Sequence, residues 1–233
     1  MKSVICILCL ILLFPVPVSC QDAEPKVEPV ILTEKKMTYL ALGDSYTIGE
    51  SVPESDRFPV LLAGLLNNAG YTFEKPEIIA KTGWTTDELK AGIAAGKVQP
   101  VYTLVTLLIG VNNQYRGRDP EEYRLQFREL LETAIYLAGY KTKNVIVVSI
   151  PDWGVSPFAK DRDGNKIAAE IDRFNSIKKE ETLKKNVLFV NITPTTRMAR
   201  DKPEYFAFDG LHFSGKMNQL WAEEIAKAGF KLP

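Results

Sequence analysis

A serine, a histidine and an aspartate in this 233-residue sequence have the types and spacing that nucleophilic catalysis requires. Ser45 follows a glycine and an aspartate, and Asp209 precedes His212, the single histidine of the chain, by three residues. A serine hydroxyl needs an adjacent base to become nucleophilic, and an imidazole base needs a carboxylate to fix its tautomer. The spacing of Asp209 and His212 allows that contact, although Ser45 as a helix cap and His212 as a structural residue are open alternatives.

Two further loops carry groups that stabilise negative charge or line a cleft. Asn112 lies in the segment 110–115, and its side-chain amide can donate a hydrogen bond to a developing oxyanion. Gly83 offers a backbone N–H in the segment 81–84. The candidate substrate-binding side chains in or next to these loops are Tyr46, Trp84, Asn113, Tyr115 and Trp153. A role in the buried core is equally open for each of the aromatic side chains.

Five apolar runs bounded by turn residues predict the strands that must position these loops. They are residues 38–42, 77–80, 102–109, 145–150 and 187–190. Segments with helical spacing and recognisable ends lie between them. The predicted helices are 57–69, one from Thr85 to about Ala95, one between Asp119 and Gly139, 167–185, and one between Ser214 and Gly229. This alternation predicts an α/β fold with a parallel sheet, helices on both faces, and ligands bound beyond the carboxyl ends of the strands.

Taken together, the four loops resemble the SGNH hydrolases, also called the GDSL esterase and lipase family. The resemblance extends from about residue 36 to residue 228. The residues that carry it, in the order of the family's blocks, are Gly43-Asp44-Ser45, Gly83, Gly110-Val111-Asn112, and the pair Asp209 and His212. Asn113, where the family usually has aspartate, and Phe213, where proline is common, depart from the pattern. Neither position supplies a reacting group, so they bear on subgroup and substrate.

The resemblance implies a three-layer α/β/α sandwich with a five-stranded parallel sheet of flavodoxin-like type. It implies that Ser45 is the nucleophile, that His212 acts as general base and then as general acid, and that Asp209 orients His212. The implied oxyanion hole consists of the Ser45 and Gly83 amides with the Asn112 side chain. This mechanism uses no cofactor and no metal.

The composition argues against several other classes of protein. Lysine plus arginine and aspartate plus glutamate both number 29, and a net charge of zero argues against a nucleic-acid partner. One histidine, with all three cysteines in the first twenty residues, cannot supply a Cys/His zinc site. Thr47 occupies the second glycine position of the Gly-x-Ser-x-Gly motif of α/β-hydrolases. Lys166 stands where a calcium loop at 161–165 needs its glycine.

The first twenty residues have the character of an export signal. Lys2 is followed by an apolar run, 4–14, which is shorter than the ~20 residues of a membrane-spanning helix. The sequence predicts a signal peptide at 1–19, a lipidated Cys20 as the mature N-terminus, a flexible tether at 20–36 and one hydrolase domain at 37–233. Cleavage near Cys20 without lipidation is the alternative. The expected location is the periplasm, the outer membrane or the cell surface, with membrane contact through the lipid anchor alone.

The expected function is metal-independent hydrolysis of a small-molecule carboxylic ester by a Ser-His-Asp acyl-enzyme mechanism. Small acyl esters such as acetylated carbohydrates are favoured because no long apolar lid segment is evident in the sequence. Two alternatives are open. The same residues serve a lysophospholipase or a thioesterase of this family, and a non-catalytic surface lipoprotein would bind glycans or lipids through its aromatic side chains. Nothing in the sequence specifies an oligomeric state.

Overall fold

The computed structural model describes residues 36–99 and 101–229, which contain a five-stranded sheet. The strands are β1 (Tyr39–Gly43), β2 (Glu77–Ala80), β3 (Leu104–Leu108), β4 (Val145–Val148) and β5 (Leu188–Val190). All neighbouring strands are parallel, in the spatial order β2-β1-β3-β4-β5. The predicted α/β fold with a five-stranded parallel sheet is confirmed.

Eight α-helices of the described residues connect and flank the strands. They are α1 (Ser45–Ile48), α2 (Phe58–Asn68), α3 (Thr86–Ala95), α4 (Val111–Tyr115), α5 (Pro120–Leu137), α6 (Gly164–Lys184), α7 (Thr193–Arg197) and α8 (Gly215–Lys227). Short 3₁₀ helices lie at Glu54–Asp56, Thr142–Asn144, Trp153–Val155, Pro157–Ala159 and Pro203–Tyr205.

The long helices begin where the sequence supplies a cap. The Asp119 carboxylate accepts the N–H groups of Glu121 and Glu122 at 2.8 and 2.9 Å, at the start of α5. Such a carboxylate satisfies N–H groups that have no partner inside the helix. In α3, the Glu88 carboxylate accepts the Thr85 N–H at 2.8 Å, as the predicted capping box requires. Both helices therefore begin where the sequence predicts.

The helices pack in two groups that cover the two faces of the sheet. α2 packs against α8, and α5 packs against α3 and α6. Because crossovers between parallel strands are right-handed, the step from β1 to β2 places α2 on one face. The steps from β2 to β3, β3 to β4 and β4 to β5 run in the opposite direction and place α3, α5 and α6 on the other face. The result is the predicted three-layer α/β/α sandwich.

The central strands β1, β3 and β4 are buried along their whole length. A strand covered by helices on both faces needs apolar side chains on both faces, so its sequence reads as a continuous apolar run. The strand order reverses between β1 and β3, and ligands in such sheets bind at this reversal, beyond the carboxyl ends of the strands. Ser45 follows β1 and Asn112 follows β3, so both lie at this point.

The observed strands are shorter than the apolar runs that predict them. The run 102–109 yields Leu104–Leu108, and the run 145–150 yields Val145–Val148. Beyond β4, the Ser149 N–H still donates to the Val190 carbonyl of β5 at 2.9 Å, whereas the Ile150 N–H donates to the Asn175 side chain at 2.7 Å. The helices α4 and α7 have five residues each, which is too short for apolar periodicity to predict.

The predicted signal peptide and Cys20 lie outside the described residues, as does the predicted tether except for Lys36. Within the described residues, no helix has both the length and the apolar character needed to cross a bilayer. The domain boundary at residue 37 and the location of the protein stay predictions.

Candidate active site

The loop after β1 presents Ser45 at the carboxyl edge of the sheet. Ser45 is the first residue of α1, and Asp44 caps this helix by accepting the Tyr46 N–H at 3.1 Å. Gly43 has no room for a side chain, because a Cβ atom there would collide with the Leu108 carbonyl oxygen of β3. The glycine therefore lets the loop that carries Ser45 lie against the end of β3.

Asp209 and His212 face each other within one turn that precedes α8. Asp209 Oδ2 lies 2.7 Å from His212 Nδ1, and Asp209 Oδ1 accepts the backbone N–H groups of Leu211 and His212, each at 2.9 Å. Partial burial opposes ionisation of this carboxyl. Hydrogen bonds from Ser51, His212 and the two backbone groups outweigh it and hold the pKa of Asp209 well below its usual range. An ionised Asp209 can accept a hydrogen bond from Nδ1–H of His212, and in that tautomer Nε2 is the unprotonated ring nitrogen.

A cavity of about 190 Å³ joins the loops that carry the predicted catalytic residues. The residues that line it are Ser45, Tyr46, Thr82, Gly83, Val111, Asn112, Tyr115, Trp153, Phe158, Leu211 and His212. Its walls are mainly apolar. In the part of the chain that the structure describes, the Ser45 hydroxyl forms no hydrogen bond with the His212 ring. Such contacts often tighten only when substrate binds.

Gly83 lies in the loop after β2, with a φ angle of +84° that glycine adopts without strain. Its carbonyl oxygen accepts a hydrogen bond of 2.6 Å from Arg116 Nη2, and Arg116 also pairs with Glu88 at 3.4 Å. These contacts fix the backbone that carries the predicted oxyanion donor. Sequence reasoning missed Arg116, because its acceptor lies 33 residues earlier in the chain and no local pattern encodes the pair.

Asn112 belongs to the short helix α4, directly after β3. Its Nδ2 atom donates one hydrogen bond to the Trp84 carbonyl at 3.0 Å. A primary amide has two N–H donors, so the second is available to a group in the cavity. The turn into α4 depends on Gly110, which has a φ angle of +125° and where a Cβ atom would collide with Tyr123 and Ile150.

Two of the predicted substrate-binding residues, Trp84 and Asn113, do not line the cavity. The Trp84 ring packs against Gly92 of α3, where even a Cβ atom would collide with it. The Asn113 side chain is buried, donates to the Thr86 hydroxyl at 2.7 Å and accepts the Thr86 N–H at 3.1 Å. The Trp84 ring therefore packs on the middle of α3 and the Asn113 side chain holds its start, and a role of either residue in substrate binding stays a prediction.

The other three predicted side chains, all aromatic, line the cavity. Tyr46 is buried beside the His212 ring, with 5.6 Å between the ring centroids. Trp153 is buried, and its indole N–H donates to the Gln114 side chain at 2.8 Å. Tyr115 is half exposed and stands edge-on to Trp153 at 5.3 Å. These rings supply much of the apolar wall.

Ser51 is a residue of the site that sequence reasoning missed. Its hydroxyl donates a hydrogen bond of 2.6 Å to Asp209 Oδ2, the same oxygen that faces His212 Nδ1. Ser51 has a φ angle of +65°, which is unfavourable for a residue other than glycine. Since 158 residues separate Ser51 from Asp209, only the folded chain reveals the contact.

A buried carboxyl and a buried amine interact near the nucleophile loop. Burial raises the pKa of Asp44 to about 7, and the Tyr46 N–H and the charge of Lys178 partly oppose this rise. Burial also lowers the pKa of Lys178 to about 7, against the opposing effect of Asp44. Lys178 Nζ donates to the Val148 carbonyl at 2.9 Å. Neither group lines the cavity, and Asp44 acts on the site as the cap of α1.

The segment considered for calcium begins a helix instead. The Asp163 carboxylate accepts the Lys166 N–H at 3.0 Å and caps α6. Across the described residues, no cluster of three or more His, Cys, Asp or Glu side chains has the arrangement of a metal site.

Solved structures that share this three-layer α/β/α fold include a lipase and an esterase. The lipase Lip_vut3 from a goat rumen metagenome has a TM-score of 0.69 at 17% identity, over 84% of this chain and 98% of that chain. A catalytic mutant of the acetylxylan esterase Axe2 from Geobacillus stearothermophilus has a TM-score of 0.64 at 19% identity, over 84% and 95%. TesA has a TM-score of 0.64 at 17% identity, over 82% and 97%.

The family follows from the sequence. The model of the GDSL-like lipase/acylhydrolase family matches residues 41–220, more than half of the chain, and the chain belongs to this family. The protein is therefore an enzyme of the esterase and lipase type, and the resemblance found in its four loops is confirmed. A comparison with curated proteins found no match.

Proposed function

We propose that the enzyme hydrolyses a carboxylic ester through an acyl-enzyme on Ser45, with His212 as base and then acid and Asp209 as its orienting group. One observation carries the proposal. Asp209 holds His212 Nδ1 at 2.7 Å, and His212 lines the same cavity as Ser45. This arrangement supports the roles of nucleophile, base and orienting carboxylate. No step requires a metal ion or a cofactor.

The reaction begins when His212 Nε2 accepts the Ser45 hydroxyl proton and Oγ bonds to the ester carbonyl carbon. The N–H of Ser45 is the first of α1 and has no acceptor inside the helix. This N–H, the Gly83 N–H and the second N–H of Asn112 are the proposed donors to the oxyanion. Collapse of the resulting tetrahedral intermediate breaks the bond between the carbonyl carbon and the alcohol oxygen, and the alcohol leaves with the proton from His212. Water then attacks the acyl-enzyme with the same proton transfers and releases the acid.

The proposed substrate carries a short acyl group. The cavity beside Ser45 has a volume of about 190 Å³, below the roughly 300–1,000 Å³ of pockets that enclose drug-sized ligands. Its mainly apolar walls suit the methyl end of an acetyl group. We infer acetylated carbohydrates as substrates, and an acetylxylan esterase shares the fold.

A series of p-nitrophenyl esters from acetate to palmitate tests the acyl group. We expect the highest kcat/KM with acetate or butyrate, because longer chains exceed the cavity. A maximum with palmitate would favour the lysophospholipase or thioesterase alternative. No hydrolysis of any ester in the series would favour non-catalytic binding of glycans or lipids.

The variant Ser45→Ala tests the nucleophile. We expect kcat to fall on the order of 10³-fold to 10⁶-fold and covalent labelling by a fluorophosphonate to disappear, with an unchanged circular dichroism spectrum. Ser176→Ala, which changes an exposed serine of α6, is the matched control and should keep the full rate. A Ser45→Ala variant with more than about a tenth of the wild-type kcat would remove Ser45 from the mechanism.

A further inference from the structure

Arg162 lies over three aromatic rings that form part of the wall of the catalytic cavity. The centre of its guanidinium is 5.1 Å from the Phe158 ring, 5.4 Å from the Trp153 ring and 5.5 Å from the Tyr115 ring. All three rings line the cavity that holds Ser45. Rings at this distance attract a cation and hold it in place, so a positive charge lies beside the wall of this cavity.

Arg162 forms no ion pair with a carboxylate of the described residues. Arg116, Arg124 and Arg197 each pair with an acidic side chain. For Arg162, no carboxylate oxygen of residues 36–99 and 101–229 lies within 4.0 Å of the guanidinium. Within that part of the chain, its one hydrogen-bond acceptor is the Tyr115 hydroxyl, at 3.4 Å. Since a guanidinium has five N–H donors, most of them are available to an acceptor from outside the protein.

A second cavity, of about 440 Å³, also has Arg162 in its lining. Four cationic residues line it, and one acidic residue, Asp201, opposes them. The cations are Lys160, Arg162, Arg200 and Lys202. The chain as a whole has equal numbers of positive and negative side chains, so this local excess of positive charge is a distinct feature of the surface. Such a surface attracts anions.

We propose that Arg162 and the three lysine and arginine residues beside it form a subsite for an anionic group on the alcohol part of the ester. The subsite rests on the proposed function. Because the catalytic cavity holds only a short acyl group, the alcohol part extends past the wall beside which Arg162 lies. A guanidinium binds the two oxygens of a carboxylate or a phosphate together. The substrate class is therefore an acetylated sugar acid or an acetylated phosphate ester.

Matched pairs of acetyl esters test whether the subsite favours an anionic substrate over a neutral one. One pair is mono-O-acetyl methyl glucuronoside with mono-O-acetyl methyl glucoside, and the other is acetylglycerol phosphate with acetylglycerol. We expect kcat/KM, followed by acetate release, to be roughly 10-fold higher for the anionic member of at least one pair. The pair with the larger ratio identifies carboxylate or phosphate. The preference should decline in 0.5 M NaCl, because salt screens exposed charges.

Variants of Arg162 separate its charge from its shape. Arg162→Gln should lower the anionic-to-neutral ratio of kcat/KM about 5-fold to 10-fold, and Arg162→Lys should keep part of it. Arg173→Gln makes the same charge change at an exposed arginine of α6 that lines neither cavity, and it should leave the ratio unchanged. A wild-type ratio of one or less in both pairs would overturn the subsite. Equal effects of the two Gln variants would overturn it as well.

A binding measurement keeps this test separate from the test of hydrolysis. If the enzyme cleaves none of the esters, the proposed function fails, but the subsite can still be titrated with free glucuronate and glycerol 3-phosphate by calorimetry. Saturable binding to the wild type that is at least about 5-fold weaker in Arg162→Gln supports the subsite. No binding of either anion to the wild type would contradict it.

Discussion

One carboxylate oxygen of the active site receives two side-chain contacts. Asp209 Oδ2 accepts the Ser51 hydroxyl at 2.6 Å and lies 2.7 Å from His212 Nδ1, while Oδ1 accepts two backbone N–H groups. A carboxylate held by four donors has one orientation, and it imposes one orientation on the imidazole. We therefore expect Ser51 to act on His212 through Asp209, as a positioning residue.

Replacement of Ser51 should slow catalysis without unfolding the protein. We expect Ser51→Gly to lower kcat roughly 3-fold to 10-fold, the rate equivalent of one hydrogen bond, with little change in KM. Glycine suits the φ angle of +65°, so the Tm should not fall and the loss of rate cannot come from instability. Ser55→Ala, which removes a hydroxyl bonded only to the neighbouring Asp56, is the control. Equal kcat values for Ser51→Gly and the wild type would show that Ser51 does not position His212 through Asp209.

Asn112→Ala should lower kcat roughly 10²-fold to 10³-fold with little change in KM, because its amide is proposed to bind charge that exists mainly in the transition state. Asn112→Asp, which keeps the shape but loses the N–H donors, should show a similar loss. Steady-state kinetics with p-nitrophenyl acetate measure both variants, and Asn191→Ala at an exposed position is the control. A change confined to KM would show that Asn112 binds the substrate in its ground state instead.

Short sequence motifs identify the residues that meet in the cavity. They do not identify the residues that fix the orientation of these residues through hydrogen bonds. Ser45, Gly83, Asn112 and His212 are recognisable because their chemistry requires particular residue types in loops after strands. Ser51 contacts the site from 158 residues away, and no local pattern encodes such a pair. The contact of Asn113 is hidden from the sequence for a related reason, since its partner, the N–H at the start of α3, is visible only in the folded chain.

At the scale of the elements, Glu181 joins the two longest helices. Its buried carboxylate pairs with Arg124 and Arg128 of α5 and with Lys184 of α6, at 2.9–3.0 Å. Burial would raise its pKa, but the three cationic hydrogen bonds outweigh burial and lower the pKa of Glu181 to about 2. The unfolded value is ~4.3. Glu181 therefore contributes stability that is fully present above pH ~4.3 and is lost as the pH falls towards 2.

Glu181→Gln should reduce the free energy of unfolding by roughly 1–3 kcal/mol at pH 7. The difference from the wild type should shrink as the pH falls from about 4 towards 2, because the wild-type carboxyl then also becomes neutral. Urea denaturation at pH 7, 4 and 3 measures this. Glu180→Gln, at a half-exposed neighbour, should change stability by less than about 0.5 kcal/mol. A difference that does not depend on pH would show lost packing rather than lost charge.

Elements with a cap and an apolar face were predictable, and short elements were not. Thr85 and Asp119 mark the starts of α3 and α5 in the sequence, and both helices begin there. The helices α4 and α7 are single turns whose positions depend on tertiary contacts. In α7, the Thr193 N–H donates to the Ser149 hydroxyl at 3.2 Å, across 44 residues.

At the scale of the whole molecule, export and lipidation stay predictions. We expect the native protein to sediment with membranes and to incorporate labelled palmitate, because Cys20 follows a signal-like apolar run. Cys20→Ser should abolish the label and release the protein or leave its precursor uncleaved. Cys9→Ser, within the same apolar run, should change neither result. Soluble native protein with its N-terminus at Gln21 or later would contradict lipidation.

The ribosome synthesises Ser45 well before it synthesises Asp209 and His212, the other members of the proposed triad. Ser45 lies near the start of the domain, whereas Asp209 and His212 directly precede α8, which packs on α2. The Trp221 ring of α8 contacts the Tyr46 ring beside the nucleophile, with 6.1 Å between centroids. If His212 is the base, as proposed, a nascent chain that has not yet released α8 from the ribosome has Ser45 without its base. We therefore expect ribosome-bound intermediates to lack hydrolytic activity until translation of α8 is complete.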